Sequence, residues 1–136
     1  MKVTTARWVR KAEADSRAAK RLSRGSDPLH DVVCFHCQQC AEKYLKALME
    51  EIGLVVPKTH DLGDLLPALR PYHPSLGGLS RGLDFLTNFA VAVRYPDENA
   101  SKRQAEAALR WAGRVRQESR SLLGIRPPRS PRKPPK

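Results

Sequence analysis

Hydrophobic and polar residues alternate along this chain with the period of a helix, and the strongest pattern lies in its first half. Val33, Cys37, Cys40, Ala41, Tyr44, Leu48 and Ile52 recur at three- and four-residue steps. Leu29, Val32, Cys34, Leu45 and Met49 widen that stripe until it covers most of the circumference. Asp27 and Pro28 are suited to open such a helix and Gly53 to close it. A helix apolar on so many sides has to be contacted from several directions. The pattern therefore predicts a central helix over 27–53 in an all-α domain.

Weaker stripes flank it. Trp8, Val9, Ala12, Ser16, Ala19 and Leu22 predict a first helix over 5–23, capped by Thr4 or Thr5. The short turn after Arg24 makes it an antiparallel neighbour of the central one. Leu62, Leu65, Leu66 and Leu69 predict a short helix near 62–70, with Asp64, Asp61 or Thr59 available as caps. Leu76, Leu79, Leu83, Leu86, Ala90 and Val93 predict a helix over 75–94, its start softened by Gly77, Gly78 and Gly82. Ser101 and Gln104 are spaced as a capping box for a last helix that runs to Leu123 and stops at Gly124. The expected architecture is an antiparallel bundle of four long helices and one short one over residues 1–124. Residues 125–136, rich in proline and base, form a tail too poor in apolar surface to offset the entropy of ordering.

Charge divides the chain in a way that hydropathy does not. Residues 1–24 hold eight Lys/Arg against two acids, or +6, and residues 25–100 hold six against ten, or −4. Residues 101–124 return to +4, and the tail adds five bases and no acid. The outer helices are thus basic and the middle acidic, a distribution that suits an anionic partner. Glu42, Lys46 and Glu50 stand four apart, the spacing of a solvated ion-pair ladder. Gln38 and Gln39 are placed either to hydrogen-bond across a subunit interface or to face water. No apolar run is long enough for a membrane span and no secretory segment opens the chain, so a cytoplasmic location is expected.

Cys34, Cys37 and Cys40 suggest a metal site until they are placed on the helix. Steps of three set Cys34 and Cys40 about 9 Å apart along the axis and roughly 120° apart around it. Neither one zinc ion nor a disulfide spans that gap. Small buried hydrophobes are the reading that remains.

Phe35-His36-Cys37-Gln38-Gln39-Cys40-Ala41-Glu42-Lys43-Tyr44-Leu45-Lys46-Ala47 resembles the second helix of HEPN domains. Thr59-His60-Asp61-Leu62 and Arg94-Tyr95-Pro96-Asp97 match further family motifs in the right order, so the resemblance spans most of residues 5–123. It implies a helical homodimer, with Phe35 and Phe89 as candidate contacts. It also implies a non-catalytic module that binds a nucleotide or RNA, with a small nucleotidyltransferase as partner. The alternative it offers is a toxin-like ribonuclease of the kind found in toxin–antitoxin pairs. Nuclease branches carry an Arg followed after four to six residues by a His. Here Arg94 is followed at those positions by Asn99, Ala100 and Ser101, so the motif is incomplete. A ribonuclease would need His36 or His60 as its base instead.

The candidate ligand-binding set is Arg94, Tyr95, Asp97, His36, Gln39, Lys43 and His60. Arg94 would meet the anion, Tyr95 would stack on a base, and Asp97 would cap the last helix or orient Arg94. No catalytic residue, metal ligand or cofactor is expected.

Overall fold

A computed structural model describes residues 1–91 and 95–127. Among these are five α-helices: α1 (Val3–Leu22), α2 (His30–Glu51), α3 (Leu62–Leu69), α4 (Ser80–Thr87) and α5 (Lys102–Leu122). A 3₁₀ segment, Pro74–Leu79, leads into α4. There is no strand among the described residues, and the all-α expectation holds. No helix is long and apolar enough to cross a membrane.

The centre of the molecule is α2. Thirteen of its 22 residues are buried, among them Cys34, Cys37, Cys40, Tyr44, Leu45 and Leu48. The three cysteines are unbridged and fill space as small apolar side chains. Burial pushes the Cys40 thiol up to about 12 and the Cys37 thiol higher still. Ala12, Ala19, Ala105 and Ala108 are buried on α1 and α5, and side chains this small let both helices lie close against α2. Leu62, Leu65, Leu69, Leu76, Leu83 and Leu86 close the core from the remaining side. The pair α1–α2 is antiparallel, with Thr5 beside Glu51 and Asp15 beside His36. The α3–α4 stretch carries the chain back, so α5 runs along α2 in the same direction, Asp31 meeting Ala100 and Tyr44 meeting Arg120.

The helix boundaries differ from the pattern in specific places. Neither Asp27 nor Pro28 starts α2; Leu29 is its N-cap and makes no side-chain cap. Lys2, not Thr4 or Thr5, precedes α1, and the buried Thr5 hydroxyl donates instead to Glu51 Oε1 at 2.9 Å. Asp61 caps α3 by accepting from the Gly63 N–H at 2.9 Å. The capping box of Ser101 and Gln104 is present in both halves. Gly53 and Gly124, at φ 78° and 72°, end α2 and α5. After each, the next N–H reaches back to the third-last carbonyl, Leu54 to Met49 and Ile125 to Arg120.

The helix expected over 75–94 is the largest departure. Its first turn winds as 3₁₀, where residues three apart eclipse, so Leu76 and Leu79 both point inward. Its far end stops at Thr87, whose hydroxyl bonds back to the Leu83 carbonyl at 2.8 Å and accepts from the Leu62 N–H at 3.2 Å. That side chain stitches α3 to α4 where the sequence pattern would continue the helix. Val93, the end of the expected stripe, lies outside the described residues. In the tail, Ile125 packs on the core, while residues 128–136 also lie outside the described residues.

The apolar breadth of α2 is mostly covered within one chain. Phe89 is buried, its ring edge-on to Phe85 at 5.3 Å. Phe35 is half-buried against His36, and Leu29 and Val32 stay exposed on the same flank.

Glycines on α4 and α5 differ sharply in what surrounds them. A Cβ at Gly82 would stand 2.0 Å from the Trp111 ring, whereas at Gly113 it would meet nothing within 4 Å. Gly82→Ala should therefore destabilise the fold by about 1–3 kcal/mol. Gly113→Ala should stabilise it by about 0.5–1 kcal/mol, because alanine loses less backbone freedom in a helix. Urea denaturation of the two variants checks both signs.

Candidate functional site

The polar chemistry of this chain gathers along the α1–α2 seam, where two buried carboxylates each sit between a histidine and a lysine. Asp15 of α1 has its Oδ1 at 2.7 Å from His36 Nδ1 and its Oδ2 at 2.5 Å from Lys43 Nζ. Glu42 of α2 has its Oε1 at 2.9 Å from His60 Nδ1 and its Oε2 at 3.0 Å from Lys46 Nζ. The ammonium of Lys46 also lies 5.7 Å from the centre of the Trp8 ring.

Glu42 and Lys46 were expected on a solvated ladder; they are 3% and 5% exposed. Periodicity places them on a common face but does not tell what covers it, which is Trp8 and the loop at His60. Both glutamines make hydrogen bonds within the chain. Gln38 is fully buried and donates to the His60 carbonyl at 2.9 Å and to Glu42 Oε1 at 3.2 Å. Gln39 donates to Gln38 Oε1 at 2.7 Å, so the pair pins the 54–61 connection onto α2.

Of the seven residues singled out in the sequence, His36 and Lys43 thus meet at Asp15, and Gln39 and His60 are joined through Gln38. Arg94 lies outside the described residues. Tyr95 is 75% exposed and Asp97 is exposed beside it. Asp97 does not cap α5, since Ser101 does. The two N–H donors just before that helix bond within the protein. Ala100 N–H donates to Asp31 Oδ1 at 2.5 Å, and Ser101 N–H to Gln104 Oε1 at 2.9 Å.

A second constellation is not foreseen by the sequence pattern. Glu13 accepts two hydrogen bonds from Arg116, Nε at 2.7 Å and Nη2 at 2.8 Å. It also accepts from the buried Tyr44 hydroxyl, and Arg120 Nη1 reaches that hydroxyl at 3.3 Å. The bidentate Arg116 guanidinium is the main cause that holds the Glu13 carboxyl down at about 2, while burial opposes it. Burial, then the hydrogen bond to Glu13, raises the Tyr44 phenol well above its ordinary value. Glu13 and Arg116 stand 103 positions apart in the chain and meet because α1 and α5 both pack on α2. The sequence signal is slight: an acid next to the α1 apolar stripe and an arginine next to that of α5.

Chemically, a histidine whose Nδ1 faces a carboxylate has its other nitrogen left to take up a proton. His36 and His60 both have that arrangement, but neither has a nucleophile within the described contacts. No group of three or more His, Cys, Asp or Glu side chains among the described residues is placed to hold a metal ion. What the outer surface offers is cations. Arg7, Arg10, Lys11, Arg17, Lys20, Arg21 and Arg24 of the first helical hairpin are all exposed, as are Lys102, Arg103, Arg110 and Arg114 of α5. Because Glu13 and Asp15 are turned inward into ion pairs, α1 presents its bases outward and its acids to the core.

Comparison with known proteins bears on the whole chain. A family model described as HEPN domain matches residues 5–122. The crystal structure of TT1696 from Thermus thermophilus is similar, at 27% identity and a TM-score of 0.73, over 86% of this chain and 96% of that one. ST0689, an archaeal HEPN homologue, shares the fold at 23% identity and the same TM-score, over 90% of this chain and 99% of its own. No curated protein matches the chain.

The buried ion pairs set how stability responds to acid. Glu13 takes up a proton near 4.5 when unfolded but only near 2 when folded. Its contribution is therefore full above about pH 5 and is lost as pH falls from there towards 2. Discounted for its partial exposure, that contribution is about 1–2 kcal/mol. Glu13→Gln should lower the melting temperature at pH 7 and flatten its decline between pH 5 and 2. Glu42→Ala should be costlier, about 3–5 kcal/mol, because it leaves the Lys46 ammonium buried without a counter-ion. Thermal melts across pH check the first, and denaturant titration at pH 7 the second.

Proposed function

The chain belongs to the HEPN domain family, and from that premise we propose that it is a non-catalytic module binding a nucleotide or RNA, working as a homodimer beside a small nucleotidyltransferase. The observation that carries this reading is the sorting of charge. The acids of α1 are consumed by ion pairs inside the bundle, and its bases, with those of α5, face outward on neighbouring helices. Such a surface raises the local concentration of a polyanion and favours its binding through counter-ion release. Arg94, Tyr95 and Asp97 stay in the proposal as ligand contacts on the strength of the family motif, with His36, Gln39, Lys43 and His60 as a second group. The dimer rests on Leu29, Val32 and Phe35, which line one flank of α2 at steps of three and are left at least partly uncovered.

Catalysis has less support. The positions after Arg94 that a nuclease would fill with histidine serve the fold: Ala100 binds Asp31 through its N–H, and Ser101 caps α5. With the base missing there, an arginine alone stabilises the charged phosphate without moving the 2′-hydroxyl proton.

Purified protein mixed with a labelled RNA should bind it and leave it intact, with or without EDTA. Cleavage that persists in EDTA would instead make this a metal-independent ribonuclease. Arg94→Ala should weaken binding of nucleotide or RNA by about 1–3 kcal/mol while its melting temperature stays close to that of the parent. Light scattering should return twice the 15.3 kDa chain mass at micromolar concentration.

A further inference from the structure

Beyond the motif residues, a groove runs along the last three turns of α5 to the segment that follows it. Arg116, Arg120 and Arg126 line it together with Gly113, Gln117 and Ser121, and it encloses about 850 Å³. No carboxylate is among its lining residues. We propose that this groove holds the phosphodiester backbone of a single-stranded RNA, a site that deepens the RNA-binding reading above and rests on it.

Two of its three arginines are fixed in advance. Arg116 spends Nε and Nη2 on Glu13, and Arg120 spends Nη1 on Tyr44. A guanidinium has five N–H donors, so each keeps others for a phosphate. Holding the side chains from behind removes much of the entropy that a free surface arginine loses on binding. The single negative charge of Glu13 faces two positive ones, Arg116 and Arg120, and Arg126 adds a third to the lining, so the groove stays positive. The carbonyls at the end of α5 do not cancel this, since the Arg120 carbonyl accepts from Ile125 N–H and the Ser121 carbonyl from Gly124 N–H.

Length favours a polymer over a mononucleotide. The groove extends from Gly113 to Pro127, and the sequence continues from its end with Arg129, Arg132, Lys133 and Lys136 and no acid. Next to it, between α1 and α5, Lys20 and Arg116 line a small cavity of about 70 Å³ together with Cys37 and Cys40, and Lys20 carries positive charge on towards α1. With no aromatic ring among the lining residues, a base has nothing to stack on, and recognition falls to the backbone.

The open space at Gly113 supplies a clean test. Gly113→Glu puts a carboxylate into the groove where a Cβ meets nothing, so the fold should tolerate it. Arg126→Gln removes a cation from an exposed segment, and Arg81→Gln on α4 makes an equal charge change elsewhere. Fluorescence anisotropy with a labelled single-stranded RNA of about twenty nucleotides, long enough to fill such a groove, reads affinity against salt. Gly113→Glu and Arg126→Gln should each weaken binding by about five- to tenfold, and Arg126→Gln should flatten the log–log salt slope by about 0.7. Arg81→Gln should stay within about twofold of the parent.

If Gly113→Glu fails to fold, Arg126→Gln decides alone. RNA binding that survives both groove variants, or falls equally in Arg81→Gln, overturns the groove and leaves the RNA-binding reading standing. A parent protein that binds ATP but not the RNA also overturns it, and keeps the nucleotide reading. Binding of neither removes both.

Discussion

The burial of α2 constrains everything else. A helix this enclosed has to be covered by apolar surface from α1, α5 and the α3–α4 stretch together. Yet Gln38, Glu42 and Lys46 are inside with the leucines. A buried charge or amide left without a partner costs several kcal/mol, so each neighbour has to arrive with a matching group as well as a matching shape. The loop at His60 brings a carbonyl and an imidazole, α1 brings Asp15, Glu13 and Trp8, and α5 brings Arg116 and Arg120. Apolar packing holds the bundle together, and the polar seam selects one register for it.

That seam also explains the surface. Asp15 and Glu13 face the core because His36, Lys43, Arg116 and Arg120 require them there. The bases of α1 are left to face water, and the acid that would balance them is not on the same side. Structural demand and surface charge are thus linked: the ion pairs that fix the helices are what leave the outer face positive. Arg116 and Arg120 have both roles at once, holding Glu13 with one edge and lining the groove with the other.

The histidines show how the same logic separates fold from chemistry. The Nδ1 atoms of His36 and His60 each meet a buried carboxylate, an arrangement that elsewhere prepares a general base. Here the Asp15 and Glu42 carboxylates are each shared with a lysine, and the positions that would complete a nuclease motif after Arg94 are taken up by the start of α5. In this seam both carboxylates tie separate parts of the chain together, Asp15 joining α1 to α2 and Glu42 joining α2 to the loop at His60.

Periodicity, glycine and capping chemistry were local enough to be legible in the sequence. The central helix, the capping box of Ser101 and Gln104, the stops at Gly53 and Gly124 and the burial of the three cysteines all follow from residues within a turn or two of each other. The family resemblance was legible for the same reason, through short motifs in order. What the sequence left undecided depended on partners far along the chain. Thr87 ends α4 because its hydroxyl finds Leu83 and Leu62. Glu42 and Lys46 are buried because Trp8 and the His60 loop close over them. Glu13 meets Arg116 only once α1 and α5 both lie on α2. Helical spacing sets which residues share a face. Whether that face meets water, an apolar neighbour or an opposite charge is decided by the packing of helices distant in sequence.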